Sequence, residues 1–296
     1  MARILLIGKN GQLGWELQRT LATLGELSAA DFPEIDLENP QSVCNLIRQI
    51  RPQVVVNAAA YTAVDQAETE QERARKINAL APGILAEEAR KVNAVFVHYS
   101  TDYVFDGKKG APYVEEDAPN PLNFYGRNKL EGERLVQQAG GTFLILRTSW
   151  VYAQRTSAGS LQQQGGFVNK VLQWARQQET LRVVADQVAN PTWARMLAEI
   201  TAQVLARGNE HIREHAGLYH LAGSGFASRF EWVKMILELD PGKSKQRVKE
   251  LLPALSADFP TPADRPLFSA LDCDHFATTF ELRLPPWEAA LRMAMQ

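Results

Sequence analysis

Tyr125 and Lys129 stand four positions apart in "YGRNK". On a helix that spacing puts both side chains on one face, a single turn from each other. A free phenol ionises near pH 10 or so, and a neighbouring ammonium favours the phenolate, moving it toward the range where a proton is both given and recovered. Upstream, Thr101 in "HYSTDYVFDG" offers a hydroxyl that can hydrogen-bond a substrate carbonyl. With a bound dinucleotide these three side chains are a set of parts for hydride transfer at a carbonyl carbon. Tyr-x-x-x-Lys arises by chance often enough that the surrounding elements have to decide.

The elements supply that context. "ILLIGKNGQLGWEL" places Gly8, Gly11 and Gly14 between an apolar strand pattern and an amphipathic helix pattern. Glycines at such a turn let backbone approach a pyrophosphate whose charge the helix N-terminus stabilises. The spacing is G-x-x-G-x-x-G, so the usual G-x-G-x-x-G fingerprint is only partly met. "VVVNAAAYTAVDQAE" follows a later strand, and in an open parallel sheet Ala58 to Thr62 fall where a ribose or nicotinamide would pass. Alanines there fit helix–sheet packing equally well. "AVFVHYSTDYVFDG" ends a further strand in Ser100, Thr101, Asp102 and Tyr103, a polar cluster that must hydrogen-bond something; the reading favours a polar ligand such as a sugar. His98, inside that strand, reads as a satisfied core histidine.

Taken in order, "RILLI", "GQLGWELQRTLATL", "GELSAAD", "QSVCNLIRQI", "VVVNAAA", a long helical stretch to Lys91, "AVFVHYS" and "FLILRTSW" alternate strand and helix signals, with "EIDLENP" as a turn. Strands apolar throughout belong to a parallel sheet covered on both faces, so the fold class is α/β, a Rossmann-type doubly wound parallel sheet with a smaller C-terminal substrate-binding domain. The expected division is 1–152 for the dinucleotide-binding domain, completed by parts of 194–222, and 153–296 mainly for the interleaved substrate-binding domain. "AQRTSAGSLQQQGG" reads as a loop, either a solvated connector or a segment that folds over a ligand. Beyond it come a helix near Phe167 to Arg176, a strand "LRVVAD", a helix after Thr192, a strand "GLYHLAG", a helix after Ser228 and a proline-studded tail.

Composition excludes several classes. A net charge of −2 from 32 basic and 34 acidic residues leaves no footprint for nucleic acid, and no basic run suggests a membrane surface. The N-terminal apolar run is too short for a signal peptide and no stretch approaches the roughly twenty residues of a membrane span, so a cytoplasmic protein is expected. Cys44 and Cys273 are too few for a disulfide framework and read as structural. The sequence carries no compact metal-ligand motif and no metal is expected, although surface carboxylates such as Glu16 could meet a divalent ion at an interface. Asp31 could accept from a ribose 2′-hydroxyl and favour NADH, whereas Lys9 could attract a 2′-phosphate; the choice between NADPH and NADH stays open.

"HYSTDYVFDG", "YGRNKLEGE", "RTSWVY" and "RPLFSALD" together resemble the dTDP-4-dehydrorhamnose reductase family of the extended short-chain dehydrogenase/reductase superfamily, over nearly the full chain. The resemblance implies reduction of the 4-keto group of dTDP-4-dehydro-β-L-rhamnose to dTDP-β-L-rhamnose, with a dTDP-4-keto-6-deoxy sugar as partner; a homodimer is allowed for. It implies catalytic positions at Thr101, Tyr125 and Lys129, the lysine also gripping the nicotinamide ribose. It implies cofactor contacts at Gly11, Gln12 and Leu13 in the phosphate loop, at Asp36 and Leu37 after a short third strand, and at Ala60, Tyr61 and Thr62. Asp102 and Trp150 correspond to substrate positions; Arg265 would meet the substrate diphosphate, its planar fork suiting phosphate oxygens. Tyr61 stands where some members carry histidine, and residues 153–166 form a longer loop than the family's. Two other readings are carried: a non-catalytic dinucleotide-binding regulatory subunit like the β subunit of methionine adenosyltransferase, and a related nucleotide-sugar epimerase or ketoreductase. A complete Thr101, Tyr125, Lys129 set argues against the first.

Overall fold

The computed structural model describes residues 2–153 and 166–296. Six parallel strands form the central sheet: β1 (Ala2–Ile7), β2 (Gly25–Ala30), β3 (Val54–Asn57), β4 (Val95–Thr101), β5 (Phe143–Thr148) and β6 (Gly217–His220). Their spatial order is β6-β5-β4-β3-β1-β2, so the chain reverses direction across the sheet beside β1. Ligands of open α/β sheets lie at that switch point, beyond the carboxyl ends of the strands.

The apolar runs explain both faces. Leu5, Ile7, Val55, Phe96 and Ile145 pack against Val43, Ile47, Leu85 and Ala89 from helices Pro40–Ile50 and Ala81–Lys91. Their neighbours Leu6, Val56, Val97 and Leu146 pack the other way, on Leu13, Leu17, Leu197 and Val204 from helices Gln12–Leu21 and Ala194–Ala206. Side chains alternate across a strand, and here both sets are buried.

Two expectations are corrected, and the tail gains its elements. No strand lies between Ala30 and Pro40, so Asp36 and Leu37 sit in a turn rather than after a short third strand; Asp36 Oδ1 accepts from Glu38 N at 2.9 Å and Leu37 packs on the core. The helical stretch before Lys91 is broken into a 3-10 turn (Gln66–Glu68), a short helix (Gln71–Arg75), a π turn (Lys76–Leu80) and the helix Ala81–Lys91. The proline-studded tail is structured, with strand Glu250–Ala254 pairing in parallel with Thr180–Val184, and helices Asp274–Phe280 and Trp287–Ala294.

A second core gathers Trp232, Val233 and Ile236 of helix Arg229–Leu239 with Val168 and Val171 of helix Phe167–Gln177 and Leu291 of the last helix. Both cysteines are free, and burial pushes the Cys273 thiol up to about 12. No helix among the described residues is long and apolar enough to cross a membrane.

Candidate active site

The glycine turn separates two jobs. Gly8 has φ +89°, and a Cβ there would meet Ala59 N at 2.5 Å; a Cβ on Gly14 would meet Gly8 O at 1.9 Å. These two glycines are demanded by backbone packing of the turn against β3 and against its own helix. Gly11 is not: its φ is −72°, and a Cβ would meet only Gly8 O at 3.5 Å, an ordinary contact. Gly11 is the residue before helix Gln12–Leu21, where unpaired N–H groups and the helix dipole favour an anion. The fold therefore demands glycine at positions 8 and 14 but leaves space beside Gly11 at the helix N-terminus.

Around this turn the predicted contacts are partly engaged. Gln12 Oε1 accepts from Ala153 N at 2.9 Å, and Leu13 is buried in the core. Asp31, just beyond β2, accepts from Asn10 N at 3.1 Å and Phe32 N at 2.9 Å; Lys9 pairs with Glu34 at 2.6 Å. Neither is held free to choose between NADH and NADPH. Glu16 is buried and faces Arg195 at 3.6 Å, so it is not the open surface carboxylate expected for an interfacial ion.

After β3 the chain runs through Ala60, Tyr61 and Thr62 with Asn78 holding both sides of Tyr61: its Oδ1 accepts from Tyr61 N at 2.8 Å and its Nδ2 donates to Tyr61 O at 3.0 Å. Asn78 comes from the π turn, whose extra residue per turn aims it inward; π turns recur at functional sites.

Tyr125 and Lys129 lie on helix Phe124–Ala139. Asn123 caps it by accepting from Gly126 N at 2.8 Å, and a Cβ on Gly126 would meet Tyr103 O at 2.2 Å. The glycine inside "YGRNK" thus lets the helix start press against the end of β4, which sets Tyr125 beside Thr101. Burial pushes the Tyr125 phenol up, opposed by a hydrogen bond with Thr101 and reinforced by the Asp102 charge. This reverses the lowered value expected from Tyr-x-x-x-Lys spacing, because Lys129 points elsewhere. Its Nζ donates to Tyr99 O at 2.6 Å and faces His98 Nε2 at 3.4 Å, and burial lowers it from 10.5 to about 8.

His98 is a core histidine with a specific job in the network. Ala59 N donates to Asn57 Oδ1 at 3.2 Å, which turns the Asn57 amide nitrogen toward His98 Nδ1 at 3.2 Å. Nδ1 therefore accepts, and the ring, held neutral by burial and by Lys129, carries its proton on Nε2. A protonated Nε2 takes no proton from the lysine. The ammonium spends one N–H on Tyr99 O, and at 3.4 Å it faces the protonated Nε2 donor to donor.

Thr101 and Asp102 are bound to each other: Thr101 Oγ1 donates to Asp102 Oδ1 at 3.2 Å and accepts from Tyr103 N at 3.2 Å. Ser269, from "RPLFSALD", donates to Asp102 Oδ2 at 2.5 Å. Burial raises Asp102 to about 6 against these hydrogen bonds. Beneath the cluster Glu133 holds Arg147 through 2.9 and 2.7 Å bonds and accepts from Ser100 at 2.5 Å, tying the Tyr125 helix to β4 and β5.

Beside this cluster opens a cavity of about 990 Å³, lined on one side by Asp106, Lys108 and Leu122 and on the other by Phe167, Arg229 and Arg265. Tyr103 connects the cluster to this cavity through its neighbours Arg229 and Arg265. Its ring meets Tyr125 edge-on at 5.9 Å, and its hydroxyl faces Arg229 and Arg265. Arg265 is already paired with Asp65, at 3.1 and 2.8 Å.

Arg229 is the residue the sequence reading passed over. Among the described residues no carboxylate lies within ion-pair distance of it, although it is the first residue of helix Arg229–Leu239, where the dipole disfavours a cation. Its guanidinium lies 3.7 Å over Trp150 and 4.7 Å over Phe167. Trp150, at φ +39°, also has Trp232 5.5 Å from it, so Arg229 rather than an open indole face meets the cavity. A bulky residue held at positive φ marks a constrained site. The one available signal was the capping pattern Ser228-x-x-Glu231, which starts that helix and aims its first side chain.

Comparison with known proteins agrees with this architecture. Residues 2–296 match the family described as RmlD substrate binding domain. The dTDP-4-dehydrorhamnose reductase of Escherichia coli is 42% identical over 98% of this chain and 95% of its own, and that of Burkholderia thailandensis is 39% identical over 99% and 98%. The crystal structure of dTDP-4-dehydrorhamnose reductase from Bacillus anthracis in complex with NADP superposes with a TM-score of 0.88 at 32% identity, covering 99% of this chain and 98% of that one. A Thermus thermophilus UDP-glucose 4-epimerase in complex with NAD, 19% identical with a TM-score of 0.79 and covering 99% and 97%, shares the fold. The chain belongs to the dTDP-4-dehydrorhamnose reductase family.

Proposed function

We propose that the chain reduces the 4-keto group of dTDP-4-dehydro-β-L-rhamnose to give dTDP-β-L-rhamnose, using NADPH or NADH. The observation that carries the reading is the setting of Tyr125 beside Thr101 at the carboxyl end of β4, with Lys129 one turn along the same helix and bonded to Tyr99 O. The dinucleotide supplies the hydride. The chain's residues fit it: the turn leaves space beside Gly11, and the Lys129 ammonium has N–H groups besides the one given to Tyr99 O.

Tyr125 gives the proton to the developing C4 alkoxide. A phenol raised by burial stays protonated until an anion forms beside it, which suits a donor. Thr101 polarises the carbonyl by swinging its proton from Asp102 to the substrate oxygen, and Asp102, held by Ser269, keeps the threonine in place. Arg229 and Arg265 hold the diphosphate of the sugar nucleotide, Arg229 as the cation with no carboxylate of its own. In this division residues 1–152, with the helix and strand of 194–222, bind the dinucleotide, and 153–296 otherwise bind the sugar nucleotide.

The test is NADPH absorbance with a dTDP-4-keto-6-deoxy sugar present. One cofactor oxidised per sugar reduced supports the reading; turnover without net oxidation marks an epimerase, and binding without turnover marks a regulatory subunit.

A further inference from the structure

The stretch "HIREH" puts two histidines four positions apart with a glutamate between them, at His211, Glu214 and His215. Residues i, i+3 and i+4 share one face of a helix, and Asn209–Glu214 is a helical turn just before β6. One ligand atom from each of the three side chains lies within 4.8 Å of the others, and the two imidazole rings are 4.4 Å apart between centroids. That is close enough for one ion to reach all three with small rotations.

The bonding around the rings points the same way. His215 Nδ1 lies 2.8 Å from the His211 carbonyl, an acceptor only, so Nδ1 carries the proton and donates. The lone pair of His215 is thereby left on Nε2. Metal-binding histidines are oriented in this manner, one nitrogen donating to a backbone carbonyl and the other free to ligate. His211 Nε2 is buried with no hydrogen-bond partner, an omission that buried polar atoms seldom show. The rings are also backed by a fixed wall: Phe280 lies 6.1 Å from His211 and 5.9 Å from His215, and Tyr219 in β6 donates to the His215 carbonyl at 2.9 Å.

We propose that His211, Glu214 and His215 form a binding site for a divalent transition-metal ion. Two imidazole nitrogens and one carboxylate oxygen are the donor set of a borderline cation such as Zn²⁺, with water completing the shell; hard Mg²⁺ prefers an all-oxygen octahedron. The site is separate from the chemistry. Asn209 reaches Gln53 O at 3.4 Å, just before β3 begins, so this helix sits at the amino ends of the strands, whereas Thr101 and Gly8 are at the carboxyl ends. The seven residues of β4 span roughly 20 Å between those edges. A bound ion would staple the last turn of the short helix to its C-cap, so its effect falls on stability rather than on turnover.

The experiment titrates ZnCl₂ by calorimetry into the metal-stripped full chain, wild type and the His211→Asn, His215→Asn double variant, with Glu214→Gln as a milder third. Wild type binds one ion per chain and melts higher with zinc; Glu214→Gln weakens binding by about 10-fold, and the double variant by about 100-fold or more. The double variant keeps its dinucleotide affinity and NADPH oxidation rate, which also shows that it folds. Loss of fold in the double variant moves the comparison to Glu214→Gln, whose side chain is exposed. Wild type without stoichiometric zinc binding overturns the proposal, as does unchanged binding in the variants. A Co²⁺ adduct with an intense thiolate charge-transfer band also overturns it, by placing the ion on Cys44 or Cys273.

Discussion

Arg229→Met keeps an unbranched, polarisable side chain against Trp150 and Phe167 while removing the guanidinium assigned to the diphosphate beside Arg265. Its effect on stability is small by this reasoning. The cation–π contact over Trp150 at 3.7 Å contributes about 0.5–2 kcal/mol, but the variant also removes the cost of burying a charge without a carboxylate, and no acid is left unpaired. The effect on the substrate is larger. Hydrogen bonds to charged groups contribute about 1.5–3 kcal/mol, which corresponds to a rise in KM of about 10- to 150-fold. Because the diphosphate is remote from C4 and is held alike in ground and transition states, kcat stays close to wild type. Steady-state NADPH oxidation against the sugar nucleotide gives KM and kcat, inhibition by dTDP reads the phosphate contact alone, and a thermal melt checks the fold. Arg229→Lys falls between, with the charge kept and the fork lost. A folded Arg229→Met enzyme whose KM and dTDP inhibition match wild type would refute the assignment of this guanidinium to the diphosphate.

Lys129→Met separates function from stability. Burial lowers the amine from 10.5 to about 8, so the unfolded chain binds the proton more tightly, and stability rises with pH between those values; below pH 8 the buried ammonium costs about 3 kcal/mol. The variant therefore melts higher than wild type at pH 7 yet binds dinucleotide and turns over more weakly; a lower melting temperature contradicts this. By the same sign, wild-type dinucleotide affinity measured across pH falls as pH rises through about 8. Glu133→Ala leaves Arg147 buried and unpaired, and chemical denaturation should show a loss of about 3–5 kcal/mol. Gly11→Val has room within the fold, so circular dichroism stays unchanged while calorimetry shows dinucleotide affinity strongly reduced; equal affinity would remove the phosphate assignment.

The sheet was legible because buried parallel strands are apolar on both faces, and "RILLI", "VVVNAAA", "AVFVHYS" and "FLILRTSW" carry no other reading. The tyrosine and lysine were legible from spacing, but their electrostatics were not. Whether Lys129 neutralises Tyr125 or bonds to Tyr99 O depends on where β4 lies beside the helix, and sequence separation hides that. Arg229 and Trp150 are 79 positions apart, and their stacking follows from a second core that no local period announces. The proline-studded tail was assigned no element, yet Pro253 sits inside a two-stranded ribbon and the residues around Arg265 line the cavity. His98 was read correctly as buried, while its bond to Asn57, 41 positions away, required the register of β3 against β4.

The central claim is that Tyr125 is the acid of a carbonyl reduction, and Tyr125→Phe tests it most directly, since the ring and its edge-on contact with Tyr103 remain while the proton is removed. Turnover is followed by NADPH oxidation with the dTDP-4-keto sugar, and dinucleotide affinity by calorimetry on the same preparation. The account predicts kcat lowered by a factor of about 10² to 10⁴ with dinucleotide affinity unchanged. Wild-type turnover in a folded Tyr125→Phe enzyme would contradict it.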